Sequence, residues 1–116
     1  MQPEELSASI DTLSSSAAEG ELLAGDVAED RTKATFARVH ARDLGNVVDH
    51  EGEKLADATP QPGIADQRSQ AIDLADEIAN ALGQIQIRPS DERTGREAQR
   101  QLSQLAERAT RLSDSL

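Results

Sequence analysis

The stretch Asp49–Ala75, DHEGEKLADATPQPGIADQRSQAIDLA, decides the fold. At its centre Pro60 and Pro62 remove backbone donors, and Gly63 is free to take a turn conformation, so no helix passes through. On both sides apolar residues recur every three or four positions, the period of a helix with one buried face. The segment is therefore predicted to be an antiparallel helical hairpin with its midpoint near Thr59–Pro60. That midpoint pairs Leu55 with Ile64, Val47 with Ile72 and Leu44 with Ala75. It also sets Glu51 against Arg68, two charged residues where the apolar pattern asks for something greasy. A carboxylate and a guanidinium facing each other can form a bidentate contact. Glu51 and Arg68 are thus expected as a structural polar pair; the other readings are two solvated side chains or part of a ligand site.

Outward from the hairpin, the preceding helix is expected over residues 32–58, facing inward through Phe36, Ala37, Leu44, Val47, Val48 and Leu55. The following helix is expected over 64–87, with Ala71, Ala75, Ile78, Leu82 and Ile85 as its seam and Ile72 and Ala79 widening it. A last helix, 90–115, starts after Pro89 with Ser90 as its cap and Asp91 and Glu92 in the favourable first turn. Its seam of Gly95, Ala98, Leu102, Leu105, Ala109, Leu112 and Leu116 alternates threes and fours like a heptad repeat. The first helix, 4–29, shows Leu6, Ile10, Leu13 and Ala17. Ser16 and Glu19 resemble a capping box for a new helix, but Ala24 and Ala28 continue the earlier face, so one helix is expected, weakened near Gly20 and Gly25. Its rival is a break near Ala17 and a very long second helix. Four such segments joined by short connections predict an all-α, antiparallel four-helix bundle in a single domain.

The chain has 116 residues, and 18 of its hydrophobic residues are alanine; Phe36 is its one aromatic residue. Alanine favours helix but buries little apolar area, so close packing or a partner chain must supply part of the stability. The formal net charge of -10 opposes nucleic acid and anionic lipid as partners. An acidic surface poor in lysine, with ten Arg and two Lys, suits a high-salt cytosol, and biased genomic composition explains it equally well. With no cysteine, thiolate metal sites, iron–sulfur clusters and disulfides are excluded. The opening MQPEELSASIDTL lacks the basic and apolar regions of a secretory signal, and no apolar run is long enough to span a membrane. A cytoplasmic location is expected.

His40 falls on the predicted inner face of the second helix, opposite Ala79. It is the one candidate for a small-molecule or metal site; the plainer reading is a packed histidine. His50 is expected in solvent. The Glu-x-x-His repeats of di-iron bundles, His-Glu-x-x-His and the glycine-rich phosphate loops are all missing. In ARVHARD, Arg38 and Arg42 share a face away from His40, so no catalytic set forms. No cofactor or enzymatic activity is expected. Arg93, Arg96 and Arg100 form a local basic stripe suited to an acidic partner or an acidic face of the same protein. The leading expectation is a non-enzymatic protein–protein interaction or structural module, as a homo-oligomer or with another protein; the alternative is a ligand-binding bundle at His40.

Overall fold

The computed structural model covers all 116 residues and is built from four helices: α1 (Pro3–Ala28), α2 (Ala34–Asp57), α3 (Ala65–Ile87) and α4 (Glu92–Asp114). They run up, down, up and down, forming an antiparallel four-helix bundle. The most extensive contacts are α1 on α4 and α2 on α3; α1 also touches α3, whereas α2 and α4 do not meet. The cross-section is therefore a rhombus with α2 and α4 at its far corners, in a body of 46 × 22 × 16 Å.

Helix α1 is continuous through Ser16, Gly20 and Gly25. Its end falls at the phase break, with no glycine or proline to mark it. Arg31 N–H donates to the Asp26 carbonyl at 2.8 Å and Asp30 N–H to that of Val27 at 3.2 Å, the paired bonds of a Schellman terminator. Asp30 takes the left-handed conformation there, at φ 55°, which costs a residue with a side chain about 1 kcal/mol. Accordingly Asp30→Gly is expected to raise stability by about 0.5–1 kcal/mol in urea unfolding, with an unchanged m-value.

Between α2 and α3 the connection is longer than a tight turn, running from Ala58 to Ile64, with Gly63 at φ 98°. Before α4 the cap is Asp91, one residue later than the expected Ser90. Its carboxylate accepts Thr94 N–H at 3.1 Å and the Thr94 hydroxyl. These bonds, the hydroxyl's above all, hold the Asp91 carboxyl below its ordinary range.

The core is aliphatic and largely legible in advance. All of the expected α4 seam is buried except Leu116, as are Ala71, Ala75, Ile78, Leu82 and Ile85 of α3 and Leu6, Ile10, Leu13, Ala17 and Ala24 of α1. Helix α2 departs from expectation. Its buried line is Ala37, Ala41, Leu44, Val48 and Leu55, while Phe36 is 59 % exposed and Val47 44 %. The helix is rotated by roughly 40–50° from the face that its large side chains define. Inward-facing Ala37 and Ala41 let its N-terminal half lie close to its neighbours.

At one crossing the backbones themselves meet. A Cβ built on Gly95 would lie 2.5 Å from the Ala28 nitrogen and 2.9 Å from the Ala24 carbonyl oxygen. Here α4 approaches α1 more closely than any side chain allows. Gly20 is different: its Cβ would meet only the ends of the Leu82 and Leu102 side chains, at 2.9 and 3.1 Å.

Candidate functional site

The hairpin charges do not form the expected pair. Arg68 sits one turn further along α2 than Glu51, donating from Nε to the Leu55 carbonyl at 2.9 Å and from Nη2 to that of Ala56 at 3.2 Å. Carbonyls in the last turn of a helix have no partner within it. Arg68 thus caps α2 from the neighbouring helix, with its positive charge at the negative end of the helix dipole. Glu51 instead has Lys54 on its own helix at 4.0 Å; its side chain is 12 % exposed, and its Oε2 is buried without a hydrogen bond. The physical reason for the correction is the loop. A connection from Ala58 to Ile64 displaces the pairings between α2 and α3 by one to two turns, so that Arg68 reaches Leu55 and Ala56, and Gly52 packs on Ala75 where a tight turn would set Leu44.

His40 lies at the α1–α2 edge and not against Ala79. Its Nε2 is 3.8 Å from Glu19 of α1, and its ring meets Phe36 edge to face with centroids 5.5 Å apart. Its Nδ1 is buried and unpaired. A groove of about 370 Å³ beside it is lined by Thr12, Ser15, Ser16 and Glu19 of α1 and Leu44 and Val47 of α2. Nothing completes a metal site: no three His, Cys, Asp or Glu side chains are grouped to hold an ion. The same α1–α2 register sets Ser9, whose hydroxyl is also buried and unpaired, level with Glu51.

A larger groove of about 660 Å³ runs between α3 and α4. Asn80, Gln84, Gln101 and Gln104 line it, and the Arg108–Glu77 ion pair crosses it. Sequence reading passed over these amides, although their three- and four-residue spacings were the available signal. Apart from Ala81, Ala98 and Leu105 its lining side chains are polar or charged, unlike the mostly apolar pockets that bury small molecules. Of the basic stripe, Arg93 pairs with Glu97 on its own helix at 3.5 Å, and Arg96 and Arg100 are exposed.

The remaining feature is the outer face of α2. Phe36, Val39 and Val47 are exposed there by 59, 39 and 44 %. Asp43, His50 and Lys54, also exposed, continue the stripe at spacings of three and four. Leu22 and Ile87 are exposed singly on α1 and α3, which is ordinary for the surface of a folded protein.

Fold and surface together define an all-α, antiparallel four-helix bundle with one semi-apolar helix face turned outward. No helix is long and apolar enough to cross a membrane. Comparison with protein-family models, with curated proteins and with solved structures found no match to this chain.

Proposed function

We propose that this chain is a non-enzymatic interaction module of the cytoplasm, which binds another protein chain through the outer face of α2. The observation that carries the reading is where the large apolar side chains go. In a chain whose core is made with alanine and small aliphatics, the one aromatic residue and two valines lie on the outside of the helix at a far corner of the bundle. Aromatic residues contribute most to binding when they are set in a partner's pocket. The polar residues support the same reading. Arg68 is taken up by the end of α2, and His40 has Glu19 as its single carboxylate neighbour within 4 Å. Catalysis by proton transfer needs at least two such groups arranged around a substrate.

The test is a photo-crosslinking amino acid placed at Phe36, at Val47 and, as control, at Glu107 on α4, in cells of the source. Crosslinks to one discrete protein partner, this chain included, are expected from Phe36 and Val47 and not from Glu107. Equal labelling at all three positions, or none, contradicts the reading.

A further inference from the structure

We infer that the groove between α2 and α3 docks a basic helical segment of another protein, whose lysine or arginine side chains lie in it. This goes beyond the reading above, because the groove opens on the α3 flank of α2 and is lined by none of Phe36, Val39 or Val47.

The groove encloses about 310 Å³. Gly52 and Ala56 of α2 and Ile72 and Ala75 of α3 give it an apolar floor, and Asp49, Glu53 and Asp76 also line it. Small residues make the groove. A Cβ on Gly52 would touch that of Ala75 at 3.5 Å, so at that level a single methyl group stands between the two backbones. Every charge in the lining is negative, and all three carboxylates are exposed. None of them has an ion-pair partner within the chain. From Val48 to Asp76 the only lysine and arginine are Lys54 and Arg68. Lys54 lies beside Glu51, and Arg68 is bonded to the end of α2. The hairpin has no cation of its own to spare for the groove.

Two requirements select the occupant, and both belong to the same eight lining residues. The floor asks for aliphatic carbon and the carboxylates ask for positive charge. Lysine and arginine join the two in one side chain, with a methylene stem that lies on apolar surface and a charged head that reaches beyond it. A purely apolar anchor would leave the carboxylates unanswered, and an anionic segment would be repelled. Asp49 and Glu53 stand one helical turn apart, about 6 Å along the axis. Basic residues four apart on a partner helix present their heads at that interval.

Fluorescence anisotropy with the full chain, at one fixed low salt concentration, tests the docking. The probe is a labelled alanine-based helical peptide with two lysines four residues apart. Its control carries 2,3-diaminopropionate at both positions, which keeps the charge and shortens the stem. The lysine peptide is expected to bind about 10-fold more tightly, from partial burial of the extra methylenes. Asp49→Asn with Glu53→Gln should weaken it by about 10-fold. Glu92→Gln with Glu107→Gln, an equal change of charge on exposed residues of α4, should leave affinity within about 2-fold, since distant exposed charges are screened. Circular dichroism confirms that both variants keep their helices. Equal losses in the two double variants overturn the inference, because the peptide then answers only to net charge. Equal affinity for the two peptides overturns it too, and assigns the carboxylates to small cations without use of the floor. A lysine peptide that does not bind at all ends it, and leaves the outer face of α2 to the crosslinking result.

Discussion

Gly95→Ala is expected to destabilise the bundle by about 2–3 kcal/mol, although alanine is the better helix former. The helix-propensity gain of alanine over glycine is about 1 kcal/mol. Against it stands a methyl group placed 2.5 Å from the Ala28 nitrogen and 2.9 Å from the Ala24 carbonyl oxygen. Both are backbone atoms, so no rotamer change relieves the overlap; α1 and α4 must separate along their whole seam. Overpacking of this kind costs typically 1–3 kcal/mol and more where backbone must move. Gly45 supplies the control. A Cβ there meets nothing within 4 Å, so Gly45→Ala should stabilise by about 0.5–1 kcal/mol. Urea unfolding of the two variants should move the midpoint in opposite directions. A shared sign would mean that α1 and α4 do not cross in backbone contact at Gly95.

Arg68→Met is expected to cost about 2 kcal/mol. Methionine keeps most of the aliphatic stem, so the loss is chiefly of two charge-assisted bonds to the Leu55 and Ala56 carbonyls, each an acceptor with no partner inside α2. The change also removes a positive charge from the negative end of that helix. Glu51 should be indifferent to it. A double-mutant cycle of Arg68→Met with Glu51→Gln is expected to give a coupling below about 0.5 kcal/mol, the range for residues that share no contact. A coupling well above that would restore the ion pair that sequence spacing suggests.

These residues also mark what was legible in the sequence. Helix number, order and boundaries followed from Pro60, Pro62 and Pro89 and from seams of threes and fours, because a helix that buries one face must repeat at that period. The α4 seam was legible position by position, since strongly polar residues flank it. Register across the hairpin was not, because a loop of unknown shape sets the midpoint, and a small displacement moves Arg68 from Glu51 to the end of α2. Nor was the roll of α2. Large side chains dominate any hydropathy pattern, so Phe36 and Val47 drew the inner face away from Ala37 and Ala41. That misplacement hid the outward stripe, and with it the surface on which the functional proposal rests. Gly95 was visible as a seam residue, but close backbone approach depends on a second helix and leaves no local signal.

Crosslinking from the outer face of α2 is the most direct test of the account. A photo-crosslinking amino acid at Phe36 or at Val47, both exposed, should capture one discrete protein partner, and one at Glu107 should not. Equal capture from all three positions, or from none, would contradict the α2 face as the contact surface.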